Sequence, residues 1–230
     1  MRLRIATEIA SAISYLHSEA CVPIVHRDIK SDNILLGEKF RAKLSDCGTS
    51  KSVALDKTHL TTQVKGTFVY FDPEYFRSSQ LTEIGVVLVE LLTGKKPICS
   101  IGLSQEKIRL AAYFISSLEE KDEVVDDILD ARVVKEDRKE EVKEVAYLAK
   151  RCLELNGRNR PTMREVAMEL EGIMISKGYL MNERIRKKVE FNVKNAFEDC
   201  ECSSISTAVF SDVCINSSKE DVYPLKFNTV

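Results

Sequence analysis

His26-Arg27-Asp28-Ile29-Lys30-Ser31-Asp32-Asn33-Ile34-Leu35-Leu36 is the stretch on which the reading of this chain turns. It opens with ionisable or polar side chains at almost every position and closes on three apolar ones, the pattern of a charged loop feeding a short strand. Gly37 and polar residues lead to a second apolar piece, Ala42-Lys43-Leu44, and then to Asp46-Cys47-Gly48, eighteen residues after Asp28. Ile24-Val25 stands before the loop as a third piece. Small strands joined by turns are expected over 24–44. Farther on come Asp72-Pro73-Glu74 and, beside the last helical pattern, Arg160-Pro161. Each of these short words arises by chance; four in this order do not.

On the N-terminal side, Leu3, Ala6, Ile9, Ala10, Ile13 and Leu16 recur at helical spacing, which predicts a helix over 2–18 with one buried face. On the other side, residues 46–66 are polar and rich in Thr, Ser and Lys, a long loop of the kind that is functional or mobile. Ile84 to Leu92 is apolar nearly all round and reads as a buried helix, ended by Thr93-Gly94 with Pro97 beyond. Helices are expected over 104–119, 122–130 and 138–155. Another opens at Thr162, where Thr162 and Glu165 form a T-x-x-E capping box, and runs to about Ile175. After Gly178 the composition shifts. Arg184, Arg186, Lys187 and Lys188 read as a solvated basic face, and the Ser- and Cys-rich stretch 199–218, with Cys200 and Cys202, has no periodicity. Residues 177–230 are expected to form a tail, partly disordered.

The chain of 230 residues carries 34 basic and 36 acidic side chains, a net charge of −2, which argues against a nucleic-acid partner held by counterion release. Forty-four per cent apolar residues can build a sizeable core, and nine glycines with five prolines exclude a collagenous or linker-like chain. The best apolar run, Ile84 to Leu92, is too short to span a bilayer and contains Glu90, and no signal peptide is read at the N-terminus. Seven cysteines without a CxxC pair, and three histidines, make a zinc site improbable; reduced thiols in a cytosolic setting are expected.

The words quoted above resemble the protein kinase family, whose catalytic loop has the pattern H-R-D-x-x-x-x-N. HRDIKSDNILL, THLTTQVKGTFVYFDPEYF and GVVLVELLTGKKPI are most similar to the cytoplasmic kinase domains of plant receptor-like kinases, and within them to the wall-associated receptor kinase branch. The resemblance covers roughly residues 1–175. It implies a mainly α fold with a few short strands at a cleft: the C-terminal lobe of a protein kinase over 1–176. It implies transfer of the ATP γ-phosphate to Ser/Thr hydroxyls of a protein substrate, with Mg2+ and ATP, at the cytoplasmic face of the plasma membrane. In that frame Asp28 accepts or orients the proton of the substrate hydroxyl, and Lys30 steadies the γ-phosphate. Asn33 and Asp46 ligate magnesium through hard oxygens, and Gly48 lets the backbone turn after the metal ligand. Arg27 meets a phosphate on the activation loop, for which Thr58, Thr61 and Thr62 are the acceptors. Thr67 lines the hydroxyl pocket. His26 is a packed structural residue. Glu74 and Arg160 form an ion pair whose breakage, if it is fully buried, costs about 3–5 kcal/mol.

The chain also departs from that pattern. A kinase N-lobe supplies a G-x-G-x-x-G loop over the phosphates and a strand lysine, yet no two of the nine glycines here have G-x-G spacing, and the 25 residues before His26 read chiefly as one helix. An N-lobe is therefore expected to be absent. Where relatives read roughly TEKSDVYSFGVVLVE, this chain reads TEIGVVLVE, an internal gap of about six residues near 83–85 that removes the start of the central helix. Cys47 stands where an aromatic usually packs toward the N-lobe, as an inert thiol, and Val69 stands where Gly is usual. Three readings stay open: a serine/threonine kinase, inactive or very weak as this chain; a non-catalytic module that docks to a related kinase or substrate; and a truncated or mis-spliced product. Apolar surface left uncovered by a missing lobe predicts self-association.

Overall fold

Apolar side chains at i, i+3, i+4 and i+7 give helix α1, Arg2–Ser18, in which Leu3, Ile5, Ala6, Ile9, Ala10, Ile13 and Leu16 are all buried. The computed structural model describes residues 1–20, 22–52, 67, 70, 84–100, 107–120, 128–136, 139–176, 214–215 and 223–225. Within them follow strands β1 (Ile24–Val25), β2 (Ile34–Leu36), β3 (Ala42–Ser45) and β4 (Lys51–Ser52), helix α2 (Gly85–Thr93), strands β5 (Ile98–Ser100) and β6 (Lys107–Arg109), and helices α3 (Leu110–Glu120), α4 (Ala131–Glu136), α5 (Lys139–Cys152) and α6 (Met163–Ser176). Two further pieces, β7 (Cys214–Ile215) and β8 (Tyr223–Pro224), come from the segment expected to form the tail. The described residues are thus mostly helical with a few short strands.

Helix α2 is the hub. All nine of its residues are buried, and it packs on α1, α3 and α5, while α1 lies along α6. A helix apolar on every side has nowhere to go but the centre. It stops at Gly94, whose φ of 67° is left-handed and whose N–H donates to Glu90 O at 2.8 Å. A Cβ on Gly94 would stand 2.5 Å from Asp130 Oδ2, so this turn accepts no side chain. Asp130 caps α4, accepting from Arg132 N at 2.9 Å, and ties back to α1 through Arg2.

Of the helix expected over 104–119, residues 104–106 lie outside the described residues and the next three are not helical. Lys107–Arg109 pairs antiparallel with Ile98–Ser100, and α3 begins only at Leu110, because a ladder partner satisfies the backbone that a helix would otherwise have to close. Most of the helix expected over 122–130 lies outside the described residues. At α6 the capping box forms as its spacing predicts. Thr162 N and Oγ1 donate to Glu165 Oε2 at 2.7 and 2.9 Å, Glu165 N donates back to Thr162 Oγ1, and these bonds hold the exposed carboxyl below its usual range. Thr162→Ala is expected to lower stability by about 1 kcal/mol in urea denaturation without changing the slope.

The β2–β3 hairpin carries the site. Its register is Ile34↔Leu44, Leu35↔Lys43 and Leu36↔Ala42. Helix α1 holds it from below: Arg4 Nη2 donates to the carbonyls of Lys39 and Phe40 in the turn, and Ala42 N donates to Glu8 Oε2 at 2.7 Å. The full sheet order is β7-β3-β2-β8.

Candidate active site

Hairpin register places Asn33, the last residue of a 3-10 turn over Ser31–Asn33, beside Ser45, with Asp46 one residue beyond. Ser45 Oγ donates to Asn33 O at 3.0 Å. His26, fully buried, donates from Nε2 to Ser45 O at 3.1 Å, while Asp28 N donates to its Nδ1 at 3.4 Å. A carbonyl can only accept and an N–H only donate, so this pair of bonds fixes a neutral imidazole with its proton on Nε2. Arg27 Nε donates to Thr49 O at 2.7 Å, Thr49 Oγ1 donates to His26 O at 3.0 Å, and β4 pairs with β1. The loop bearing Asp28 is in this way sewn to the loop that follows Asp46.

Asp28 is buried, and both carboxylate oxygens are engaged. Oδ1 accepts from Thr67 N at 2.9 Å and Thr67 Oγ1 at 2.7 Å; Oδ2 accepts from Lys30 Nζ at 2.7 Å and Asn33 Nδ2 at 3.1 Å. Lys30 Nζ also donates to Thr67 Oγ1 at 3.1 Å. Burial pushes this carboxyl up, but the hydrogen bonds from Lys30, Thr67 and Asn33, with the Lys30 charge, pull harder and leave it below its ordinary value. The group is therefore ionised at neutral pH, with its oxygens aimed by three side chains at one spot.

Two residues here hold left-handed backbone without being glycine: Arg27 at φ 69° and Asp46 at φ 59°. Such strain, about 1–3 kcal/mol each, concentrates at working sites. It also corrects the expectation for Gly48. The sharp turn falls on Asp46 itself, whose short polar side chain tolerates it, and Gly48 is not among the described residues with positive φ. A Cβ there would meet Asp46 Oδ1 at an ordinary 3.4 Å.

Cys47 is half-buried and disulfide-bonded, whereas Cys99 and Cys152 are free thiols. The reduced state expected for all seven cysteines does not hold at this one. A disulfide requires two Cβ atoms about 4 Å apart, a proximity that linear spacing does not reveal. Thr58, Thr61, Thr62 and Glu74 lie outside the described residues. Arg160 is buried and donates from Nε to Glu154 O, stapling the turn after α5; burial lowers its pKa.

Beneath the loop lies a link that no motif announced. Ser31 Oγ donates to Glu90 Oε1 at 3.0 Å and sits 3.1 Å from the Tyr70 hydroxyl. Glu90 is wholly buried in α2, and its Oε2 has no hydrogen-bond partner among the described residues. The one signal in the sequence was a carboxylate inside an otherwise apolar run.

The donor set suits a hard divalent cation. Asn33 spends its amide nitrogen on Asp28 O at 2.8 Å and on Asp28 Oδ2, which leaves its carbonyl oxygen to offer. Asp46 is exposed and makes no ion pair or hydrogen bond among the described residues. Among those residues no three His, Cys, Asp or Glu side chains form a cage. Magnesium takes one or two protein oxygens and completes its shell with water and phosphate, and the oxygens of Asn33 and Asp46 are of the type it takes.

This arrangement is matched by sequence. Residues 2–170 match the protein kinase domain family, and the chain belongs to it. Within the kinases it is similar to three wall-associated receptor kinase-like proteins of Arabidopsis thaliana. Wall-associated receptor kinase-like 17 is 54% identical over 182 residues, 76% of this chain and 23% of that protein. Wall-associated receptor kinase-like 3 is 56% identical over 182 residues, 76% of this chain and 24% of that protein. Wall-associated receptor kinase-like 10 is 45% identical over 238 residues, 98% of this chain and 31% of that protein. The chain thus spans between 23% and 31% of the length of these relatives. No helix among the described residues is long and apolar enough to cross a membrane.

Proposed function

We propose that these residues are the catalytic lobe of a plant receptor-like serine/threonine kinase of wall-associated type. The observation that carries this reading is the Asp28 carboxylate held by Lys30, Thr67 and Asn33, with Asp46 one residue beyond the hairpin partner of Asn33. In the family reaction the γ-phosphoryl group of ATP passes to a Ser/Thr hydroxyl. Asp28 receives the hydrogen bond of that hydroxyl, for which it must release Thr67 Oγ1. Lys30 supplies a positive charge within reach of the same point. Asn33 and Asp46 would hold magnesium, which when bound neutralises phosphate charge. A substrate protein or a related kinase is the partner, with self-association through exposed apolar side chains such as Phe40, Met168 and Ile175. The cytoplasmic face of the plasma membrane is the place the family implies.

The chain has no G-x-G pair to cover the phosphates. With these residues alone, adenine and ribose would stay in water, and the dry cavity in which electrostatic stabilisation is strong would not form. Catalysis by these residues alone is accordingly very weak. Calorimetry with Mg-ATP should give an affinity at least about tenfold poorer than that of a two-lobed relative, about 1.4 kcal/mol or more, and weaker again in Asp46→Ala. Phosphoryl transfer by the chain and by Asp28→Ala should be equal. Transfer above the Asp28→Ala level would restore the enzyme reading, and binding indifferent to Asp46→Ala would remove the site.

A further inference from the structure

Next to the loop that bears Asp28 lies a charged face that the phosphoryl-transfer reading leaves unused. β5 and β6 pair antiparallel with the register Ile98↔Arg109 and Cys99↔Ile108. Side chains alternate across a strand, and directly opposed residues share a face. Cys99 packs against the apolar core, so Cys99 and Ile108 form the inner face. The outer face carries Ile98, Lys107 and Arg109, and all three are exposed, Ile98 at 47%. Two residues before Ile98, Lys96 is exposed as well, and its Nζ lies 3.6 Å from Asp32 Oδ1. Asp32 stands in the 3-10 turn over Ser31–Asn33, next to the candidate metal ligand Asn33. Lys96 therefore joins the cationic hairpin to the loop on which a substrate hydroxyl would be received. Its pair with Asp32 is exposed on both sides, 58% and 67%, and a pair of that kind holds weakly enough for Lys96 to take another carboxylate.

We propose that the outer face of the β5–β6 hairpin, together with Lys96, is a docking surface for an acidic segment of the protein substrate. It rests on the reading of Asp28 as the group that receives the substrate hydroxyl, and it adds the class of substrate. Charge decides the sign of the partner: Lys96, Lys107 and Arg109 attract carboxylates, and cations spread over a patch raise both the on-rate and the selectivity for an anionic chain. Ile98 among them supplies the apolar contact that a cationic rim surrounds in peptide interfaces. Position decides between a peptide and an anionic lipid surface. A membrane held by these cations would lie against the turn that Lys96 touches and would leave a protein substrate no approach to Asp28. An extended acidic peptide held there keeps its own hydroxyl within reach of that loop.

The test uses the full chain and two fluorescent Ser peptides, one with a run of Glu and one with Gln in every Glu position. Fluorescence anisotropy at low salt should show the Glu peptide binding about tenfold or more tightly, and the preference should fade at about 1 M salt, where screening reaches across only a few ångströms. The double variant Lys107→Glu with Arg109→Glu leaves the Lys96–Asp32 contact in place and should lose about tenfold or more of the Glu-peptide affinity. Lys107→Gln is the milder variant in case the double reversal disturbs the hairpin, with a loss of about twofold or more. Amide hydrogen exchange locates the peptide, which should slow exchange over Lys107–Arg109. Equal affinity for the two peptides, affinity indifferent to both variants, or slowing confined to other segments overturns the docking surface. Capture of phosphatidylserine vesicles that the double variant abolishes, with no preference between the peptides, gives the face to a membrane and overturns it too. Calorimetry with Mg-ATP on the same samples separates the two readings. A Glu preference with no nucleotide bound keeps the docking surface and removes the reading of Asn33 and Asp46, whereas bound nucleotide without the preference does the reverse.

Discussion

Arg2→Ala should cost about 3–5 kcal/mol in urea denaturation at pH 7, the largest loss expected from any single substitution described. Arg2 is 2% exposed although it is the second residue of the chain. Its Nη1 donates to Leu91 O at 3.0 Å and its Nη2 to Asp130 Oδ2 at 2.8 Å. It thereby joins the start of α1, the last turn of α2 and the cap of α4. Truncation leaves a carbonyl and a carboxylate facing a cavity, and the desolvation of both is no longer offset. Arg132 Nη2 still reaches Asp130 at 3.0 Å, which keeps the expectation at the lower end of the range. Asp130 gives the loss a pH signature. Burial raises its pKa, but hydrogen bonds from Arg132 and Arg2 with the Arg2 charge bring it down to about 2, from an ordinary 3.8. A depressed carboxyl contributes stability that is complete above 3.8 and disappears as pH falls toward 2. The penalty of Arg2→Ala should therefore shrink between pH 4 and pH 2. Asp130→Asn keeps the cap oxygen for Arg132 N and removes the charge, so a double-mutant cycle with Arg2→Ala isolates the pair. A penalty flat across that pH range, with no coupling in the cycle, would show that Arg2 acts through its packing and its bond to Leu91 O and not through Asp130.

Local pattern carried much of the helical frame into view. Leu3, Ala6, Ile9 and Ile13 announce α1, and Thr162 with Glu165 announces the start of α6, because in both cases the interacting groups are three or four residues apart. The charged loop and the two strands of the hairpin were legible for the same reason. What was hidden depends on partners distant in the chain. Lys107–Arg109 is a strand only because Ile98–Ser100 lies beside it; alone, those three residues continue a helical pattern as readily. Tyr223–Pro224 has no periodicity of its own and is ordered by β2, nearly two hundred residues earlier. The candidate site divides in the same way. Asp28, Lys30, Asn33, Asp46 and Thr67 were singled out by type and order, and the structure brings the first three and Thr67 into one hydrogen-bonded group. The left-handed backbone at Arg27 and Asp46 was not legible, since neither is glycine. Nor was the Ser31–Glu90 bond, which spans fifty-nine residues.

Glu90 makes that bond responsive to pH. Burial pushes its carboxyl up to about 7 from an ordinary 4.5, against the hydrogen bonds from Tyr70 and Ser31 and the Lys96 charge, which act the other way. In the folded chain it keeps its proton between pH 4.5 and 7, where the unfolded chain has released it. A raised pKa contributes stability that is complete below 4.5 and is lost as pH climbs through 7, about 3 kcal/mol in all. Urea midpoints of the parent chain should therefore fall between pH 5 and pH 8. In Glu90→Gln that fall should be largely gone, and at pH 8 the variant should be the more stable by about 2–3 kcal/mol. The margin is below the full linkage term because an amide N–H takes the partnerless place of Oε2, a smaller cost than a buried anion. Comparing the two proteins cancels the histidines and every other group they share. Parallel midpoints across the range would mean that Glu90 is ionised throughout and that its charge is compensated by groups other than Ser31 and Tyr70. If the profiles converge at pH 5 and separate at pH 8, Ser31, two residues before Asn33, is anchored to α2 by a bond whose strength follows a single proton. The geometry of the loop bearing Asp28 and Asn33 is then pH-dependent through a residue outside that loop.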